Sequence, residues 1–506
     1  MAPDPTPRSA PGALNAWHWP LLVGLGACAI AMSFPHRLVT DGDTHLHIAV
    51  GRWIIAHRAI PFHDPFSFTA AGKTWVPHEW GAEIVLAIAY EALGWGGVIA
   101  ATGLAIFASF AILTRALMRH FAPPRAALGA TLAFLLTEEH LLARPHVIAL
   151  PLMVLWMWRI IAARDEGRVP SPLLLPVMTL WCNLHGGFVV GLGFVALLGS
   201  EAVIEAKGAE RIAAARRWGV FFGLALASAL VSPNFIAGLL LPFELMRMSY
   251  SMAAIAEWQG ASFTGYQPVE IWIVVIALAG LSLGLRLKLT RTAMVLLLLH
   301  MALSHVRNAE LLGFIAPLLV AAPLAAHLRA LGLATGIEAV ARAPTRRAAA
   351  IAALVVALGF LATAALFDAA RFRPNQEVAP VAALEAVREA GITGPVLNLY
   401  GFGGFLVFSG VPVFIDGRAD LYGDNFIRSF VDAVNGGNDD DLRQLLERYA
   451  IQWTMFEPKT PAVRLLDRFP DWQRVYADKF AVVHRRNGPA PQRPLAPIEG
   501  PHADNR

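Results

Sequence analysis

What most constrains this chain is a succession of apolar runs, each near the length that crosses a bilayer. They fall at about 17–35, 96–118, 126–142, 147–163, 172–185, 187–205, 218–233, 268–286, 292–306, 308–326 and 348–368. A helix needs roughly 20 apolar residues to span the hydrocarbon layer. A water-soluble domain has a single core to fill, and so many runs exceed it. Apolar residues make up 56% of the chain and charged residues 15%, against roughly a quarter charged in soluble domains. The expected fold is therefore an all-α polytopic membrane bundle of about 11–13 transmembrane helices.

The net charge of +4 comes from arginine more than lysine and sits in short connectors. Arg119 with Arg125, Arg159 to Arg168, Lys207 to Arg217, Arg286 to Arg291 and Arg329 to Arg347 mark alternate connectors as cytoplasmic. The intervening connectors (36–80, 138–146, 183–187, 232–267 and 304–308) are long or rich in aromatics, His and acids, and should be external. This alternation puts the N-terminus inside and the C-terminus outside. It also argues against nucleic acid as a partner, whose binders carry basic residues on a soluble face. One stretch, 81–95, is apolar but holds Glu83 and Glu91. A full extra crossing there would flip every later basic connector. It is read as a juxtamembrane or re-entrant helix, or as part of one long bent crossing.

Cys28 and Cys182 both lie in apolar runs, so neither a disulfide framework nor a cysteine zinc site is expected. The Pro-rich residues 1–16 are read as a cytoplasmic tail before a retained anchor. The membrane domain is placed at 17–370, with its first external loop at 36–80. After Asp368 the composition turns mixed. Strand-like runs at 396–399, 411–415, 453–456 and 480–483, with helical patterns at 377–390 and 439–449, define a small α/β domain over 371–488. Residues 489–506 form a Pro-rich tail expected to be disordered. No internal repeat is visible, which weakens a transporter built from inverted halves.

The first external loop opens with Thr40-Asp41-Gly42-Asp43-Thr44-His45-Leu46-His47. Two carboxylates spaced by a glycine that lets the backbone turn suit a general base for a hydroxyl, or a divalent cation such as Mg2+ or Mn2+. A simple helix cap by Asp43 or Thr44 is the plain structural alternative, and compatible with both. The helix that follows, about 44–59, is too short and too charged to span, and should lie in the membrane interface. His78 and Glu79, just before the next apolar run, add two titratable groups on the same side.

Three segments carry a resemblance. The run DGDTHLHIAVGRWIIAHRAIPFHDPFSFTAAGKTWVPHEW (41–80) resembles the first external loop of bacterial proteins related to the GT-C glycosyltransferases. YGFGGFLVF (400–408) and FIDGRADLY (414–422) resemble the external domain of the same largely uncharacterised group. The resemblance implies a GT-C-like membrane domain whose first loop carries essential acidic residues, here Asp41 and Asp43. It also implies a polyprenyl-phosphate-linked sugar as donor. Neither the sequon-binding motif of oligosaccharyltransferases nor the loops of protein mannosyltransferases is found.

Other external positions are candidates for substrate binding: His47, His78, Glu79, Glu139, Arg144, His146, His185 and Arg307. Arg144 and Arg307 compete for the donor phosphate, since arginine pairs phosphoryl oxygens bidentately. Glu138-Glu139-His140 and Glu257-Trp258 are equally plain loop residues, and Asn183-Leu184-His185-Gly186-Gly187 equally a tight structural turn. Gly401, Gly403 and Gly404 make an incomplete phosphate-loop fingerprint, better read as a close turn between strands. Asp416-Gly417-Arg418 with Asp420 and Tyr422 either covers an acceptor site or forms an internal salt bridge.

The expected function is sugar transfer from a lipid-linked donor to an envelope glycan, lipid or protein acceptor, with membrane lipid as the surrounding partner. The competing class is a transporter or lipid flippase, which would place ionisable residues near the bilayer centre. Glu201 and Glu205 lie in or near one span but towards its cytoplasmic end, from which they are expected to snorkel to the loop.

Overall fold

The computed structural model describes residues 17–254, 258–265, 267–333 and 345–488. The tails 1–16 and 489–506, and Glu257, lie outside the described residues. The expected architecture is present: a helical membrane domain and a small α/β domain with a four-stranded sheet.

The membrane domain comprises α1 (His18–Met32), α2 (Asp43–His57), α3 (Trp80–Leu117), α4 (Pro123–Thr137), α5 (Pro145–Asp165), α6 (Leu175–Cys182), α7 (Phe188–Glu205), α8 (Ala209–Ala229), α9 (Phe235–Leu245), α10 (Pro268–Ala277), α11 (Leu289–Ser304), α12 (Ala309–Ala330) and α13 (Arg346–Ala369). Among the described residues, five helices are long and apolar enough to cross a membrane: α3, α5, α7, α13 and the segment Val306–Ala330 that contains α12. Shorter apolar helices cover the runs at 17–35, 172–185, 268–286 and 292–306, while α4 and α8 cover those at 126–142 and 218–233. α8 extends back through the basic connector that begins at Lys207, and the apolar helix α9 falls within 232–267, where an external connector was expected. Prolines open several helices at their first position, where the missing N–H costs nothing.

The stretch 81–95 belongs to α3, a 38-residue helix bent at Leu93 and Gly94. Gly94 has φ of 53°, a left-handed conformation that only glycine takes cheaply. The kink divides Trp80–Leu117 into two helical halves, with Glu83 and Glu91 both on the first, and it brings Gly97 against the Ala89 carbonyl.

The expectation for the helix after the Asp pair is corrected. α2 is not a surface helix with one face open: it is packed between two parts of the protein. Leu46, Val50 and Ile54 are buried in one core with residues of the C-terminal domain. On another side Ile48 joins the membrane-domain core, and Gly51 packs against the Glu83 carbonyl of α3. The helix is apolar on more than one face, so protein covers it on both sides. Burying each of these aliphatic side chains contributes roughly 1.5–3 kcal/mol.

The C-terminal domain has sheet order β1-β2-β4-β3, with β1 (Val396–Asn398) parallel to β2 (Trp453–Phe456) and the pairs β2–β4 and β3–β4 antiparallel. The strand β3 (Trp472–Ala477) and the helix Asp424–Asn435 were not expected; β4 runs Val482–Arg486. Nor is Val411–Ile415 a strand of this sheet. It reaches back to the first loop through a single parallel bridge, Ser67 to Val413, with Phe68 N–H donating to the Val413 carbonyl. Trp75 and Ala70 of that loop are buried in the domain's core. The C-terminal unit is therefore residues 371–488 together with much of the loop 36–80.

A buried ion triad ties the two. Arg418 reaches Asp416 of its own domain at 2.6 Å and Asp64 of the first loop at 2.7 Å, beneath the rings of Phe66 and Trp75. The internal salt bridge expected from sequence exists, with an added partner 354 residues away.

Candidate active site

The Asp pair is held from three directions. Asp41 Oδ1 accepts the Asp43 backbone N–H at 2.8 Å; the helix cap that sequence offered to Asp43 or Thr44 is made by neither, since α2 starts after Gly42 with no side-chain cap. The carboxylates of Asp41 and Asp43 face Arg144, the residue before α5. One guanidinium nitrogen lies 2.6 Å from Asp41 Oδ2 and 2.5 Å from Asp43 Oδ2. Arg144 adopts extended backbone (φ −129°, ψ 161°) ahead of Pro145, as a residue before proline must. This aims its side chain along the end of the bundle towards the first loop.

The third direction is the C-terminal domain. A Cβ placed on Gly417 would sit 1.9 Å from Asp43 Oδ1, so the carboxylate rests on bare backbone. Gly42 has ordinary helical angles, φ −60° and ψ −29°, so it does not serve the sharp turn read from sequence. It serves close approach instead: a Cβ there would meet the Gly401 carbonyl at 2.3 Å, and one on Gly404 would meet the Gly42 carbonyl at 2.3 Å. The glycine-rich run is accordingly neither a phosphate loop nor a turn between strands. It forms a 3-10 turn (Tyr400–Phe402) and a short helix (Gly403–Phe408) seated on the Asp loop. Burial pushes the Tyr400 hydroxyl well above its usual range, helped by the charges of Asp43 and Asp416.

Beside the Asp pair lies a histidine–carboxylate cluster centred on Glu79. His47 Nε2, His78 Nε2 and His185 Nε2 stand 3.9, 3.7 and 3.7 Å from its oxygens. His47 Nδ1 also meets Glu83 at 3.2 Å. Burial works against ionising Glu79, but His78, His47, His185 and Arg307 outweigh it and hold the carboxyl at about 2. Burial likewise works against protonating His47, yet Glu83, Glu79 and Asp43 raise its pKa. His185 goes the other way. Burial, only partly opposed by Glu79, takes it down to about 3. Its Nδ1 accepts the Gly187 amide at 3.1 Å, which leaves the proton of the neutral ring on Nε2, facing Glu79.

Arg307 lies in a 3-10 turn before α12, its guanidinium 4.2 Å from the centre of the Trp258 ring. His146, in the first turn of α5, approaches Glu310 of α12 at 3.3 Å and the His185 ring at 6.0 Å between centroids. Asp420 joins from the C-terminal domain. Burial raises its pKa against the pull of His78 and Arg418.

Nine of the ten candidate residues thus form a connected set: Asp41, Asp43, His47, His78, Glu79, Arg144, His146, His185 and Arg307. Glu139 is exposed on the 3-10 turn Glu138–His140 and stays apart. Asn183 of the nearby polar island is structural. It accepts from Trp80 Nε1 at 2.8 Å and caps carbonyls of neighbouring helices. Sequence reasoning missed Glu83, Glu310 and Tyr400 as members. For the two glutamates a signal was present, an acid inside an otherwise apolar run, which is rarely left without a purpose.

No protein-family model matches the sequence, and no curated protein matches it. Among solved structures the chain is similar to ArnT from Cupriavidus metallidurans in the apo state, at 14% identity and TM-score 0.48, over 92% of this chain and 98% of that one. It is similar to the same protein bound to undecaprenyl phosphate, at 14% identity and TM-score 0.46, over 94% and 100%. A third is the Archaeoglobus fulgidus oligosaccharyltransferase in the apo form, at 11% identity and TM-score 0.41, over 87% and 69%.

Proposed function

We propose that this chain is a polytopic membrane glycosyltransferase that moves a sugar from a polyprenyl-phosphate-linked donor to an envelope acceptor. The reaction takes place at the periplasmic face of the inner membrane. The observation that carries this reading is the meeting of Asp41, Asp43 and Arg144 under a domain from the other end of the chain, next to the Glu79 cluster. The basic connectors gather at the opposite ends of the helices, which orients this face outward.

An aspartate of the pair accepts the proton of the acceptor hydroxyl as its oxygen bonds to the anomeric carbon. The bond from that carbon to the phosphate oxygen breaks, and the phosphate leaves as an anion that needs no acid. Arg144 holds both carboxylates in place. The donor phosphate is assigned to Arg307 with its neighbours His185 and His78, because Arg144 is engaged by the aspartates. The guanidinium nitrogen occupies the point where both carboxylates converge. Among the described residues no group of three or more His, Cys, Asp or Glu is placed to hold a metal ion. Charge compensation is therefore assigned to Arg144 in place of Mg2+ or Mn2+, and no step runs through a metal.

The test is turnover of a radiolabelled polyprenyl-phosphate sugar by the full chain in lipid, compared with Asp41→Asn and Asp43→Asn. Loss of a general base costs about 10²–10⁴-fold. Undiminished turnover in both variants removes the catalytic assignment, and lipid translocation without any turnover replaces it with transport.

A further inference from the structure

A cavity of about 870 Å³ lies between α1, the second half of α3 and α13, away from the candidate active site. Its walls are apolar, built largely from alanines with Phe107, Phe360 and Leu361, and the one charged residue lining it is Arg115. α1 and α13 both run antiparallel to the second half of α3. Gly24 of α1 packs on Phe107 and Ala111, while Gly96 of α3 packs on the Ala364 carbonyl and Gly103 on the Phe360 ring. Arg115, Trp17 and Ala349 therefore share one end, and Leu93 and Ala364 the other. From Gly97 to Arg115 the groove runs roughly 27 Å, close to the ~30 Å of a bilayer's hydrocarbon layer. Its outer wall, α13, buries only 6% of its apolar window.

The mouth at the Arg115 end is strongly basic. Arg346 and Arg347 open α13, one turn before the lining residue Ala349. All three arginines are exposed, and among the described residues none has an ion pair or hydrogen bond. Trp17 stands at the same level, as aromatics do at a headgroup boundary. Three exposed guanidiniums around the end of an apolar slot complement an anionic headgroup on acyl chains, and basic pockets between membrane helices take such lipids.

We infer that this groove is a binding site for an acidic phospholipid, with its phosphate at Arg115, Arg346 and Arg347 and its acyl chains between α1, α3 and α13. A polyprenyl phosphate seated the same way would put its head at the end of the bundle opposite Asp41 and Asp43, so it is not the favoured occupant. The bound lipid would fasten α13 to the bundle, and α13 is the helix that leads into the C-terminal domain.

The experiment is native mass spectrometry of the full chain from mild detergent, with thermal melting in micelles doped with cardiolipin, phosphatidylcholine or a polyprenyl phosphate. Cardiolipin is expected to be retained and to raise Tm where phosphatidylcholine does not. Each arginine changed to glutamine should weaken binding about fivefold, while the triple arginine-to-lysine variant should keep most of it. Ala353→Trp, which fills the groove but leaves the arginines, should also abolish retention. Equal effects of cardiolipin and phosphatidylcholine on the unmodified chain, unchanged retention in the triple glutamine variant, or retention of polyprenyl phosphate alone would each overturn the proposal. The lipid comparison needs no variant, so it decides the matter even if the triple variant fails to fold.

Discussion

Two buried charge clusters sit at opposite ends of the helical bundle, and they are built differently. At the end bearing the basic connectors, Arg291 pairs Asp165 at 2.7 Å and Glu201 at 2.8 Å, while Arg164 pairs Glu201 at 3.0 Å and Glu205 at 2.6 Å. Lys288 completes the set on Glu205 at 2.7 Å. Three carboxylates meet three permanent cations, so the network is neutral. It clamps α5, α7 and α11 together. Glu201 does not snorkel to the loop as sequence suggested: it is 1% exposed, and its charge is matched where it stands.

At the other end, Asp41, Asp43, Glu79, Glu83 and Asp420 face Arg144 and Arg307, with Arg418 beside Asp420, and His47, His78 and His185 stand among the carboxylates. A matched cluster of fixed charges holds helices in place. A cluster with histidines among its carboxylates has protons to move, as a working site requires.

The sharpest way to break this contrast is Arg291→Met. Removing one partner of a buried ion network costs about 3–5 kcal/mol. Thermal melting should show that loss, with sugar turnover per folded molecule unchanged. A stable variant with lost turnover would make the clamp part of the function. Gly417→Ala probes the other end. The new methyl collides with the Asp43 carboxylate, and a displacement of about 1 Å at a reacting group costs about 10²-fold in rate. Turnover should fall by that order while Tm holds. Equal activity would mean that Asp43 does not need its present position.

The smallest effect concerns pH. His45 is buried among Trp95, Phe405 and Phe408, and burial, only slightly opposed by Asp41, takes its pKa from 6.5 to about 3. Below about pH 6.5 the unfolded chain binds a proton that the folded chain refuses until about pH 3, so acidification through that window favours unfolding. His185 adds in the same sense. His47, with its pKa raised, opposes them: its contribution is full below 6.5 and fades as pH rises through its folded value. Replacing His45 by phenylalanine should flatten the acid limb of a Tm-against-pH curve, by about 2 kcal/mol at pH 5. An unaltered curve would show that His45 takes a proton in the folded state after all.

Much of this was legible in the sequence. The apolar runs, the basic connectors and the change of composition after Asp368 are local properties; the runs reappear within helices, while the connector Lys207 to Arg217 is part of α8 and α9 lies where a connector was expected. Asp41, Asp43, Arg144 and the histidines stood out because charged groups at the ends of apolar runs are few. Glu139 stood out for the same reason and does not belong, since position at a helix end says nothing of direction. Arg144 was read, with Arg307, as one of two candidates for a phosphate; its contacts with Asp41 and Asp43, about a hundred residues earlier, were not legible. The run Val411–Ile415 has the composition of a strand but bridges to Ser67 in place of the sheet, and composition does not name a partner.

By itself the sequence determined which segments leave water and which chemical groups gather at the membrane's edge. Both follow from the transfer energies of side chains taken one stretch at a time. Only the tertiary structure decided that α2 is buried between two domains, that Gly42 and Gly417 exist for close approach, and that Arg144 spans the Asp pair. Those facts are pairings between distant parts of the chain, and a pairing energy has no value until both partners are in place.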